Sequence, residues 1–196
     1  MEIKYIMMTC DNRNDNRIKE YKKEIPNLII NHDDFPKSSS GKFLSTAWNN
    51  YLRGWELAGD NPTVQFDDDI ILTSNFINKL NSVIKKNPND VIQFFSMRKD
   101  DLTIGTRYVS GSKFMMQQCY YLPKGVAKGI LSLKDEWYNL CKDGDKAPTD
   151  LLMAEYFKRN KINYLNWCPN LVDHIVGKSA IDSRRSSKRQ SKTFKL

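Results

Sequence analysis

The chain has 196 residues, 40% hydrophobic and 28% charged, which fits one globular domain and is too apolar for a disordered chain. No apolar run approaches the ~20 residues that span a bilayer, and Met1-Glu2-Ile3-Lys4 lacks the basic segment and apolar core of a secretory signal. Cys10, Cys119, Cys141 and Cys168 lie far apart with no CxxC pair, and only two histidines are present, which argues against a disulfide framework or a structural zinc and predicts a cytoplasmic protein with reduced thiols. The net charge of +8 is uneven. Residues 178–196 hold seven cations against the single anion Asp182, so +6 sits in the last 19 residues. Such a segment suits a polyanion, either nucleic acid or an anionic membrane surface.

In chain order, Ile3–Met8 is an apolar run of strand length, ended by the polar turn 9–17. A charged helix is predicted around Asn16–Lys23 and a second strand over Pro26–Asn31. His32-Asp33-Asp34-Phe35-Pro36 breaks that strand, and 37–42 is a Ser/Gly/Lys loop. Residues 43–58 carry one apolar stripe at helical period, from Leu44 through Trp48, Tyr51 and Trp55 to Ala58. Gly59-Asp60-Asn61-Pro62 stops it. Thr63–Phe66 is a third strand that runs straight into Asp67-Asp68-Asp69, followed by Ile70-Ile71-Leu72. Thr73-Ser74-Asn75 then offers caps for a helix through Lys86. Further strands are predicted at 91–95, 114–122 and 162–165, with 96–113 irregular. Helices are predicted at 124–133, at 136–141 and from Pro148 to Arg159. Alternating strands and helices predict an α/β domain over 1–181 with a mostly parallel, Rossmann-type sheet, trailed by a basic tail over 182–196. Ligands of such sheets bind outside the carboxyl ends of the strands.

The sharpest chemical feature is the acidic triplet at the end of the third strand. Three adjacent carboxylates repel one another and stay ionised most easily beside a cation. Hard divalent ions such as Mg²⁺ or Mn²⁺ take oxygen ligands of this kind and bridge to substrate phosphates. Asp67 and Asp69 are therefore candidate metal ligands, against the alternative of a polar surface turn. His174, one of the two histidines, is a candidate third ligand or simply a packed residue. Asp150 lies at a predicted helix start, where the macrodipole favours an ionised carboxylate. It reads either as a general base or as a cap.

The triplet resembles the DxD-type motif of nucleotide-sugar-dependent glycosyltransferases with the GT-A fold. Other positions follow in the order that resemblance implies. They are Thr9 with Arg13 and Arg17 after the first strand, Asp33-Asp34 after the second, the loop holding Lys42, Ala147–Leu152, and Pro169–His174. The resemblance is to small phage and bacterial transferases and covers residues 3–181. It implies a metal, Mn²⁺ or Mg²⁺, held by Asp67, Asp69 and His174. It also implies a nucleotide sugar with UDP as the carrier, held by Thr9, Arg13, Asp33, Asp34, Lys42, Asp67 and Asp68, and Asp150 as catalytic base. The basic tail suggests DNA as acceptor, through a hydroxymethylated pyrimidine. The rival acceptors are a saccharide, a lipid-linked substrate or a protein. Two other classes stay open: a non-catalytic nucleic-acid-binding module, and a metal-dependent nuclease or nucleotidyltransferase built on Asp67 and Asp69.

Overall fold

A computed structural model describes residues 2–10, 15–34, 44–141, 148–176 and 189–196. The elements run β1 (Lys4–Cys10), α1 (Asp15–Glu24), β2 (Ile29–Asp33), α2 (Leu44–Ala58), β3 (Thr63–Asp67), β4 (Ile70–Leu72) and α3 (Phe76–Lys86). They continue with β5 (Val91–Gln93), the short α4 (Asp101–Ile104), β6 (Arg107–Ser110), β7 (Cys119–Leu122), α5 (Val126–Leu131), α6 (Lys134–Leu140), α7 (Thr149–Arg159), β8 (Asn163–Asn166) and β9 (Val172–His174). Seven strands form one sheet in the order β2-β1-β3-β7-β5-β8-β6. β1 is parallel to β2 and β3, β5 is parallel to β8, and β6 and β7 run against them. Five strands thus share one direction, giving the mostly parallel α/β sheet expected from the sequence. β4 and β9 make a separate antiparallel pair.

Period-2 alternation in the strands divides the core between two faces. Met7, Val64, Phe66, Cys119 and Tyr121 face the α1–α3 side, where Tyr21, Ile25 and the buried stripe of α3 meet them. Ile6, Met8, Tyr120 and Leu122 face the other side, against Trp48 and Trp55 of α2, Ile130 of α5 and Phe157 of α7. Each such large apolar side chain contributes about 1.5–3 kcal/mol by leaving water, so helices on both faces hold the sheet between two cores. Gly54 lets α2 lie close on the sheet, because a Cβ there would overlap the Met8 side chain. Among the described residues no helix is long and apolar enough to cross a membrane.

Several expected boundaries shift. The strand expected over 26–31 runs Ile29–Asp33 and so includes His32, and the strand expected over 91–95 ends at Gln93. The strand expected over 114–122 begins at Cys119, because Gly111–Lys113 forms a 3-10 turn and Met116 takes a positive φ of 71°. The stretch 96–113, expected to be irregular, contains α4 and β6.

Candidate active site

The three parallel strands β2, β1 and β3 end at one edge. Cys10 pairs with Asp33, Thr9 with His32, and Met8 with Asp67. The chain leaves β3 through a two-residue turn, Asp68-Asp69, and re-enters as β4. The Asp68 amide donates to the Met8 carbonyl at 3.0 Å, which keeps the triplet against β1. Thr9 then donates its hydroxyl to Asp68 Oδ2 at 2.7 Å, with both residues buried. Tyr51, on the α2 stripe, donates its hydroxyl to Asp67 Oδ1 at 2.5 Å. Burial, then the charge of Asp69, pushes the Asp67 carboxyl up to about 7, against the lowering effect of the Tyr51 bond.

Asp69 meets a histidine from the far end of the chain. β4 pairs with β9 so that Ile70 faces His174, and the Ile175 amide donates to the Asp69 carbonyl at 2.9 Å. His174 Nε2 stands 3.4 Å from Asp69 Oδ2. His174 Nδ1 lies 2.6 Å from the Ile175 carbonyl. A carbonyl only accepts, so Nδ1 donates to it, and Nε2 is the ring atom turned to the acidic edge. A histidine oriented in this way by its second nitrogen is a typical metal-ligand arrangement. Among the described residues no three His, Cys, Asp or Glu side chains are spaced to hold a metal unaided. Asp69 and His174 make a two-donor set of one hard oxygen and one imidazole. That set fits an ion whose remaining ligands come from a diphosphate and water.

The other predicted positions fall around this edge. Asp33 ends β2 beside Cys10. Asp34 accepts from Arg53 Nη1 at 2.6 Å, and that hydrogen bond holds its carboxyl below the usual range. Arg53 also donates to Asn31 Oδ1 at 2.6 Å, which ties α2 to β2. Arg17 acts on Tyr21, the residue whose hydroxyl donates to the Ile70 carbonyl at 2.5 Å and which also feels Asp68 and Asp69. Asp150 sits in the first turn of α7. Thr149, before it, donates to Gln117 Oε1 at 2.6 Å. Gln117 lies just ahead of antiparallel β7, and so at the edge where β3 ends. Arg13 and Lys42 lie outside the described residues.

The sequence carries no site signal for Tyr51, Gln117 or Arg53. Tyr51 signals core packing only, and nothing in an apolar stripe tells that its one hydroxyl reaches a strand end. Arg189 is, in the sequence, one charge of the tail. It places Nη2 2.8 Å from His174 Nε2.

No protein-family model and no curated protein matches the chain. Among solved structures the fold is similar to A197 from STIV, with a TM-score of 0.50 and 12% identity over 95% of this chain and 91% of that one. That likeness carries the fold alone. Weaker likenesses are to the CTP:phosphocholine cytidylyltransferase of Streptococcus pneumoniae (TM-score 0.47, 13% identity, 89% of this chain and 94% of that one). Another is to a glycosyltransferase involved in glycosylation of the major capsid of PBCV-1 (TM-score 0.35, 10% identity, 68% and 69%).

Proposed function

We propose that the protein is a metal-dependent glycosyltransferase that moves a sugar from a nucleoside-diphosphate donor, UDP-linked, to an acceptor hydroxyl. The observation that carries this reading is the pairing of β4 with β9, which sets His174 Nε2 3.4 Å from Asp69 at the end of β3. Asp69 and His174 would hold Mn²⁺ or Mg²⁺, with Asp67 and Asp68 shaping the acidic wall around it. The bound ion would supply charge stabilisation for the departing diphosphate.

The chain's own residues do the rest. Tyr51 and Thr9 fix the rotamers of Asp67 and Asp68 by donating to them. Asp33 and Asp34 line the end of β2, where the base and ribose of the donor would lie, and Thr9 closes the gap between the strands. Arg17, and in this reading Arg13 and Lys42, would place positive charge near the diphosphate. Asp150, ionised at the start of α7, would take the proton of the acceptor hydroxyl. The positive charge of residues 178–196 supports DNA as acceptor, at a hydroxymethylated pyrimidine flipped out of the stack.

A thermal-shift panel of nucleotide sugars and free nucleotides with and without Mn²⁺ tests the reading. A ligand at a hundred times its dissociation constant adds about 2.7 kcal/mol of apparent stability. The expected result is a rise with a UDP-sugar that requires Mn²⁺. A response to a nucleoside triphosphate and to no nucleotide sugar would replace glycosyl transfer with nucleotidyl transfer. For the acceptor, binding of the full chain to duplex DNA should weaken steeply with salt. Binding to anionic vesicles without binding to DNA would favour the lipid-linked acceptor.

A further inference from the structure

Residues 189–196 return to the acidic edge. Ser191 anchors them: its amide donates to Asp173 Oδ1 at 2.7 Å and its hydroxyl donates to Asn170 Oδ1 at 2.6 Å. The same hydroxyl accepts from the amides of Thr193 and Phe194, each at 3.1 Å. Thr193 Oγ1 accepts from the Asn170 amide at 3.1 Å, and Thr73 donates its hydroxyl to the Lys195 carbonyl at 2.8 Å. Asn170 and Asp173 are 2% and 7% exposed, so these bonds lie away from water and fix the segment in one register. That register delivers the Arg189 guanidinium to His174.

Nε2 of His174 has one lone pair. Nδ1 is committed to the Ile175 carbonyl, so Nε2 is the atom the ring offers to a cation. The guanidinium is permanently charged and takes that lone pair through Nη2–H. A metal and Arg189 cannot share it. Arg189 Nε is buried with no acceptor among the described residues. That lost bond costs free energy in the docked position and leaves it easier to vacate.

We infer that the C-terminal segment is a cation-exchange strap. In the metal-free protein Arg189 occupies the place at His174 Nε2, and a divalent cation arriving with a nucleotide diphosphate displaces its guanidinium. The inference rests on the metal reading under Proposed function. It adds that metal binding and the Arg189–His174 bond exclude one another, so each weakens the other by the same factor.

Free Mn²⁺, followed by electron paramagnetic resonance during titration of the full chain in the presence of UDP, tests it. Arg189→Ala should tighten Mn²⁺ binding about tenfold, the size expected from a charge-assisted hydrogen bond no longer competing. In a His174→Ala background the same substitution should change the affinity by less than about twofold, since the shared partner is gone. Tightening that persists in that background would assign the effect to remote charge and overturn the strap. Equal Mn²⁺ affinity in wild type and Arg189→Ala removes the strap and leaves the metal site standing. Absence of Mn²⁺ binding in both removes the metal site and the strap together.

Discussion

Two clusters of aspartates lie at opposite ends of the same sheet edge and differ in what balances their charge. Asp101, in α4, is 1% exposed. It accepts from Arg107 Nη1 of β6 at 2.9 Å and from Asn166 Nδ2 at the end of β8 at 2.8 Å, while Arg107 Nη2 reaches Asp100 at 2.9 Å. This cluster carries its own cation. At the other end, Asp67, Asp68 and Asp69 follow one another; Tyr51 and Thr9 donate their hydroxyls to Asp67 and Asp68, and His174, itself beside the Arg189 guanidinium, stands against Asp69. There Asp67 is pushed up to about 7 by burial and by Asp69. A buried charge neutralised within the chain ties elements together. Carboxylates gathered so that they disfavour one another are common at functional sites. The first cluster holds β6 and α4 onto the sheet, and the second crowds three carboxylates at the strand ends.

Substitutions at the two ends should therefore separate stability from activity. Arg107→Ala leaves Asp101 buried without its cation and should lower stability by about 3–5 kcal/mol, read from urea unfolding, while donor hydrolysis per folded molecule stays near wild type. A variant as stable as wild type would show that Arg107 is not what balances Asp101. Asp150→Asn should do the reverse, reducing kcat about a hundredfold or more with donor KM and melting temperature nearly unchanged. If turnover survives, Asp150 is only a helix cap.

The smallest effect is a pH dependence. The Asp67 carboxyl titrates at about 7 in the folded protein, against the ordinary 3.8. The native state therefore holds a proton that the unfolded chain has lost between those values. The contribution of Asp67 to stability is fully present below about pH 4 and is lost as pH rises through 7. Asp67→Asn keeps an acceptor for Tyr51 and removes the charge. In metal-free protein it should raise the melting temperature at pH 8 by about 2–4 °C, the response of a domain this size to 1 kcal/mol. The gain should shrink toward zero near pH 4. A difference independent of pH would mean that Asp67 is not held in this repulsion.

The parts of this comparison were unequally legible in the sequence. β1 is apolar from Tyr5 to Met8, β3 places Val64 and Phe66 between Thr63 and Gln65, and the break from Phe66 into three carboxylates declares a strand end directly. α2 announces itself by its stripe. β9 does not, because Val172-Asp173-His174 has two polar residues in three and shows neither alternation nor an apolar run. Its pairing with β4 crosses a hundred residues of chain, so the approach of His174 to Asp69 is a property of topology that no local pattern encodes. β6 was hidden for a similar reason: Arg107 and Ser110 bound a four-residue edge strand whose stability comes from its pairing with β8 and from the ion pair to Asp101. The C-terminal segment was read as charge alone, while its placement rests on Ser191 and Thr193, uncharged residues bonded to Asp173 and Asn170.

The central claim is that Asp69 and His174 hold a cation that makes this edge a nucleotide-sugar site. Its most direct test is UDP release from a UDP-sugar by the full chain, with Mn²⁺ and then with excess chelator, for wild type and Asp69→Asn. The expected result is release by wild type that stops in chelator, and in Asp69→Asn a loss of about a hundredfold or more with Mn²⁺ present, with an unchanged melting temperature confirming the fold. Undiminished release by Asp69→Asn in chelator would contradict it.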